Sequence, residues 1–330
     1  MSDAIIQVKH LRKWFPVFSR GVLLKKSIGV VHAVDNIDFD IRKGETFGLV
    51  GESGCGKTTV ARLILNLIEP TAGEIYFQGE NVYKKFKSGN NEEKLRLRRK
   101  MQLIFQNPYG SLDPRMTVFD IISEPFIIHK HVPKKEWKDR VYKLLSLVGL
   151  EEYHAERYPH EFSGGQRQRI CIARALAVEP DFLIADEPVS SLDVSIRAQI
   201  LNLLGDLQKE MTLTYLYISH DLSSVRQISN RVAVMYLGEI VELADTDELF
   251  DKPIHPYTQA LIQAVPIPDP ETKRLRIILA GEVPSPINPP KGCRFRPRCP
   301  YAKECKKEEA PKLIDAGGGH LVACHIIRYS

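Results

Sequence analysis

The apolar residues of the chain gather into short continuous runs and into helically spaced sets. TFGLV (Thr46–Val50), FLIAD (Phe182–Asp186) and TYLYIS (Thr214–Ser219) are each apolar without alternation, the pattern of a buried strand. After the first run, Val60, Leu63, Ile64, Leu67 and Ile68 recur at helical spacing, and after a small turn at Ser163-Gly164-Gly165 so do Ile170, Ile172, Ala173, Leu176 and Ala177. Strands that feed glycine turns and then helices predict an α/β chain. No stretch approaches the roughly 18 apolar residues of a membrane span, and the start, MSDAIIQVKHLRKWF, lacks the apolar core of a secretory signal. The expectation is a cytosolic chain.

Between the first strand and its helix stands GESGCGKT, a match to G-x-x-x-x-G-K-[ST] in the strand, loop and helix context that gives this pattern its chemistry. Gly51, Gly54 and Gly56 let the backbone turn its N–H groups inward around phosphates at the positive end of the helix; Ser53, Cys55 and Thr59 belong to the same loop. Lys57 is expected to reach the outer phosphates and Thr58 to ligate magnesium. Cys55 reads as passive, or as a thiol that makes the site sensitive to oxidation. FLIAD ends in Asp186-Glu187, where one carboxylate serves magnesium and the next can activate water. TYLYIS ends in His220, placed to reach a γ-phosphate. FSGGQ (Phe162 to Gln166) opens its helix with a second N-terminus suited to phosphate.

The ordered set GESGCGKT, Gln106, FSGGQ, FLIADE, SSLD and His220 resembles the ATP-binding cassette of ABC transporters over roughly residues 5 to 250. The resemblance implies a P-loop NTPase fold: a RecA-like core with an antiparallel β subdomain and a helical subdomain at about 107–160. It also implies that two cassettes sandwich ATP, each giving its phosphate loop to one nucleotide and its signature turn to the other. Carried over, Gln106 touches magnesium and senses the membrane partner, while Ser163, Gly164, Gly165 and Gln166 face the opposite nucleotide. Glu187 is the general base, Asp193 crosses the interface, His220 holds the γ-phosphate, and Phe15 or its neighbour Trp14 stacks on adenine. Two departures, Phe162 for the usual Leu and Val189-Ser190-Ser191 for small residues with Thr and Ala, remove no group from the chemistry.

QNPYGSLDPRMTV, WFPVFSRG before AVDNIDF, HPYTQALIQAVP and GEVPSPINPPKGCRFRPRCP resemble ATPase subunits of oligopeptide and dipeptide importers, which extends the likeness over nearly the whole chain. The implied partners are two transmembrane permease subunits, a second related ATPase subunit and, indirectly, an extracytoplasmic peptide-binding protein; the implied place is the cytoplasmic face of the membrane. With 330 residues, a net charge of +5 and one cassette, a soluble ABC ATPase of nucleic-acid repair or translation is the weaker alternative, as is an importer of a non-peptide solute, and no nucleic-acid partner is expected. A regulatory cassette without catalysis would lack Glu187 or His220, and an exporter is commonly fused to its membrane domain.

From about residue 251 to 330 prolines thicken, among them Pro253, Pro256, Pro266, Pro268, Pro270, Pro284 and Pro286, and the expectation is an irregular C-terminal domain that needs a staple. Cys293, Cys299, Cys305 and Cys324 stand there at C-x5-C-x5-C-x18-C. In a reducing compartment such clustering favours metal over disulfide. The absence of a close C-x2-4-C pair favours a [4Fe–4S] cluster, as the resemblance also does, with zinc as the alternative. Seven Lys/Arg against the single acid Glu304 between Lys291 and Lys307 read as a solvated basic rim around that site.

Overall fold

The structure is a computed structural model that describes residues 3–18, 27–264, 279, 281–305 and 307–326. Pro266, Pro268 and Pro270 lie outside the described residues, as does most of the insertion before AVDNIDF. The chain divides into two compact units: Met1–Ile5, Ile41–Thr46 and Lys84–Ser219 form one, and Ile6–Asp40, Phe47–Tyr83 and His220–Ser330 the other.

The first unit is built on three parallel strands, Met101–Ile104, Phe182–Asp186 and Thr214–Ser219, with Leu103 opposite Ile184 and Ala185 opposite Tyr217. Every residue of the latter two strands is buried, which is why they carry no polar alternation. Helices Val118–His129, Trp137–Leu147, Gly164–Leu176 and Val194–Met211 accompany them. Asn90 begins the helix Asn91–Lys100 with a capping box, its side chain accepting from Glu93 N while Glu93 accepts from Asn90 N.

In the second unit Ser27–Arg42, Ala4–Phe18, Ala72–Phe77 and Glu80–Asn81 form a four-stranded sheet in that spatial order, with Ala4–Phe18 antiparallel to Ala72–Phe77. Thr46–Val50 runs parallel to Arg231–Tyr236, which pairs antiparallel with Glu239–Asp245. The helix after the phosphate loop, Lys57–Ile64, is shorter than the spacing predicts. Asn66 takes a left-handed conformation (φ 51°), Leu67 N donates to Arg62 O and Asn66 N to Leu63 O, a Schellman closure that ends the helix and leaves Leu67 half exposed.

The C-terminal stretch of the second unit carries more order than its prolines suggest. It holds the helix Pro256–Gln263 with proline at its first position, the 3-10 turn Arg296–Arg298, and the short strands Ile314–Asp315 and Leu321–Val322, the latter extending the sheet at Glu239–Asp245. A buried carboxylate anchors it. Glu242, fully buried, accepts from Ile254 N at 2.6 Å and His255 N at 3.0 Å and pairs with His320 Nε2 at 2.7 Å.

Candidate functional site: a phosphate loop and a catalytic carboxylate

In the second unit the phosphate loop turns on glycines whose conformation other residues rarely adopt. Gly51 has φ 152° and Gly56 φ 115°, and a Cβ on either would lie 2.1 Å from a backbone oxygen, that of Met235 or of Ala33. Gly56 precedes the first turn of Lys57–Ile64, so that turn's N–H groups and the helix dipole favour an anion there. Ser53, Gly54 and Thr58 are exposed at this end and Thr59 is half-buried. Lys57, itself buried, donates from Nζ to Gly51 O at 2.7 Å and Glu52 O at 3.1 Å, which holds its ammonium over the loop. Cys55 is buried, and burial pushes its thiol up against the pull of Lys57. It is an enclosed thiol whose burial disfavours the thiolate, which goes with the passive reading.

Of the two aromatic residues before this loop, Trp14 is already engaged: its ring stacks on His32 at 4.5 Å and its Nε1 donates to Asp35 Oδ1 at 3.2 Å. Phe15 is exposed, with Lys13 Nζ 4.9 Å from its ring centre. His220, also in this unit, stands exposed just before Asp221, which caps the helix Leu222–Ile228.

In the first unit Asp186 ends its strand buried, and Glu187 follows in a left-handed conformation (φ 47°) with its N–H donated to Ile218 O. A non-glycine residue is uncommon in that conformation. Gln106 Nε2 donates to Glu187 Oε2 at 2.7 Å, so two of the expected catalytic residues meet. Immediately after Gln106, Asn107 caps the helix Pro108–Ser111; from Gly164–Leu176, Arg174 donates to Ser111 O at 2.6 Å and Cys171 contacts Ser111 Oγ at 3.2 Å.

The signature turn opens that same helix. Ser163 Oγ accepts from Gln166 N, and Gln166 Oε1 accepts from Ser163 N at 3.0 Å, a capping box. Gly164 is half-buried; Gly165 is buried, and a Cβ there would meet Ile196 Cγ2 at 2.4 Å. Asp193 is exposed, but its Oδ1 caps Val194–Met211 by accepting from Ile196 N at 3.0 Å and Ser195 Oγ at 2.8 Å, so within the chain it is a helix cap.

These features are matched by known proteins. Residues 34–190 match the family described as ABC transporter, and residues 241–305 the oligopeptide/dipeptide transporter C-terminal region. The chain is 52% identical to the oligopeptide transport ATP-binding protein AppF of Bacillus subtilis (strain 168), over 98% of both chains. It is 56% identical to the OppF protein of the same organism, described in the same words, over 98% of this chain and 97% of that one. The chain belongs to the ATP-binding subunits of oligopeptide/dipeptide ABC transporters. Another relative, the dipeptide transport ATP-binding protein DppF of Escherichia coli (strain K12), is 47% identical over 99% of this chain and 96% of its own. Among solved structures, the ATP-binding cassette MJ0796, dimeric in a post-hydrolysis state with ADP and Pi, matches with a TM-score of 0.62 at 28% identity over 73% of this chain and 98% of that one. The fold is thus the ABC cassette form of the P-loop NTPases, and this ABC subunit is an ATPase that takes ATP with magnesium.

The family's C-terminal region corrects two expectations. The basic stretch is not simply a solvated rim: Arg294 and Arg298 are buried and paired with acids. Arg294 donates to Leu237 O and Asp35 and lies 3.1 Å from Glu239, and Arg298 grips Glu52. Burial pushes Glu239 up to about 7 despite the Arg294 cation; Asp35 is also burdened by burial, but hydrogen bonds from His32 and Arg294 hold it below the usual carboxylate range. Sequence reasoning missed these pairs and the buried Glu242. The second correction concerns the metal. Among the described residues no three His, Cys, Asp or Glu side chains group as a metal site requires, so neither the [4Fe–4S] cluster nor zinc is shown. Cys293 precedes the 3-10 turn, Cys299 closes it, Cys305 follows a later turn and Cys324 follows a strand, and all are partly exposed.

Proposed function

We propose that this ATPase powers uptake of oligopeptides or dipeptides through a membrane ABC importer, working as one of a pair of cassettes on the cytoplasmic face. The observation that carries the reading is the near full-length identity to peptide-transport ATP-binding proteins, which includes the C-terminal region as well as the cassette. In the mechanism, Lys57 turns from Gly51 O and Glu52 O to the outer phosphates, while the N–H groups at the start of Lys57–Ile64 take the rest of their charge. Thr58, Gln106 and Asp186 would hold magnesium, which neutralises charge developing on the phosphates. Glu187, oriented by Gln106, takes the proton of the attacking water, and His220 holds the γ-phosphate. Phe15 stacks on adenine, since Trp14 is occupied by His32 and Asp35. Ser163, Gly164, Gly165 and Gln166 face the partner cassette's nucleotide, and Asp193 crosses the interface between the cassettes.

The permease partners are supported by the exposed apolar side chains Phe105 and Tyr109 beside Gln106 and by the ties from Ser111 to Arg174 and Cys171, which link that surface to the signature helix. Among the described residues no helix is long and apolar enough to cross a membrane, so closure must be passed on by contact. Reconstitution with two permease subunits and a binding protein tests the reading: labelled peptide should enter vesicles with ATP, and a cysteine at Ser111 should cross-link to a permease loop. Uptake of another solute alone, or cross-links only to nucleic acid, contradicts it.

For the cysteines the spacing without a close C-x2-4-C pair points to a [4Fe–4S] cluster, with zinc as the alternative. Cys293 interacts electrostatically with Cys324 and Cys299, and Cys305 with Cys299 and Cys324, so the four share one neighbourhood. Four thiolates are the ligand set that such a cluster takes. Cys293, Cys299, Cys305 and Cys324 would be its ligands, serving to clamp the C-terminal stretch.

A further inference from the structure

The phosphate-loop pattern leaves the position of Glu52 free, yet here Glu52 is held at three points. Its N–H donates to Tyr257 Oη at 3.0 Å, its carbonyl accepts from Lys57 Nζ at 3.1 Å, and its carboxylate takes both terminal nitrogens of Arg298 at 2.9 and 3.2 Å. Two of these partners come from beyond residue 250. The Arg298 side chain is 9% exposed and that of Glu52 28%, so this is a half-buried, two-pronged pair and not a loose surface contact.

The side chains behind it are rigid. Phe295, 2% exposed, packs at ring distances of 5.3 Å from Tyr236, 5.5 Å from Tyr257 and 5.4 Å from His255. Tyr236 and Tyr257 are themselves 4.7 Å apart, and the Arg298 guanidinium lies 6.0 Å from the Tyr236 ring. One aromatic cluster therefore fixes both the Tyr257 hydroxyl and the turn that carries Arg298.

We propose that Arg298 is a positioning residue for ATP binding: it cancels the charge of Glu52 and holds the phosphate loop in the shape that receives a polyphosphate. This rests on the ATP-binding reading above. An unpaired Glu52 carboxylate would sit in the same loop as Lys57 and oppose the triphosphate by like-charge repulsion. Arg298 touches neither phosphate nor water in this account; it acts through Glu52.

The test is MgATP affinity of the full chain by calorimetry, with Lys57→Ala as the control for the site. Arg298→Ala should weaken ATP binding about tenfold, with the deficit shrinking as salt rises, and Arg298→Lys only about threefold. Adding Glu52→Gln to Arg298→Ala removes the stranded charge and should bring affinity back to within about twofold of the parent, a rescue that a merely structural arginine would not show. In the assembled complex KM for ATP should rise while kcat stays within about twofold. Glu52→Gln alone keeps an oxygen that accepts from Arg298 while removing the negative charge, so it should bind ATP no more weakly than the parent. Unchanged affinity in Arg298→Ala, a double variant as weak as the single, or loss of binding in Glu52→Gln alone would each overturn the proposal. A parent chain that does not bind ATP would instead overturn the reading on which it rests.

Discussion

Gln106 Nε2 donates a hydrogen bond of 2.7 Å to Glu187 Oε2, joining the first residue of the proposed permease-facing segment to the proposed general base. The bond fixes a carboxylate whose backbone is left-handed at φ 47°. Replacing Gln106 by Ala leaves that carboxylate unoriented, so kcat should fall about tenfold with ATP affinity little changed, whereas Gln106→Glu sets two carboxylates against each other and should cost more. Steady-state hydrolysis in the assembled complex reads both; equal rates for Gln106→Ala and the parent would show that the bond does not serve catalysis.

The signature turn depends on a missing side chain. A Cβ at Gly165 would lie 2.4 Å from Ile196 Cγ2, a methyl on a β-branched side chain with little freedom to move. Gly165→Ala is expected to destabilise the chain by about 1–3 kcal/mol in denaturant titrations, and Ile196→Ala in the same chain to recover part of that loss. No recovery would mean that the glycine is needed for its backbone and not for space.

The C-terminal helix carries a pH dependence of definite sign. His255 Nδ1 accepts from Tyr257 N at the helix start, and burial drives the imidazole down to about 4 although Glu242 pulls the other way. Between about pH 6.5 and 4 the unfolded chain binds a proton that the fold refuses, so this contribution is complete above about 6.5 and is lost as pH falls through 4, about 3 kcal/mol in all. Thermal melts of the parent against His255→Asn, which keeps a neutral acceptor, should converge as pH falls across that window. A constant difference would contradict the assignment.

The proposed cluster is open to direct counting. Protein purified without oxygen should be brown and hold about four irons and four sulfides per chain, and Cys299→Ser should lose them. Because Cys299 adjoins Arg298, loosening this turn should also weaken ATP binding through Glu52. A colourless preparation with one tightly held zinc would contradict the cluster.

The phosphate loop, signature turn and strand-end carboxylates were legible because their chemistry is local: glycines, a lysine and caps within a few residues, next to apolar runs that bury on both sides. The end of the first helix was not, since its apolar spacing runs on to Leu67 and Ile68 while Asn66 closes the helix after Ile64. The C-terminal arginines were misread for a different reason. Arg298 finds Glu52 at a separation of 246 residues and Arg294 finds Asp35 at 259, and a basic stretch alone does not reveal acids so distant in sequence. The same holds for Glu242, an acid inside an apolar strand whose partners Ile254, His255 and His320 come from later segments.

The central claim, that Glu187 is the base of an ATPase driving peptide uptake, is tested most directly by Glu187→Gln in the reconstituted importer. The change keeps size and removes the proton acceptor, so ATP should still bind while phosphate release and ATP-dependent entry of labelled peptide both fall by at least about a hundredfold. Hydrolysis and peptide uptake at the parental rate would contradict it.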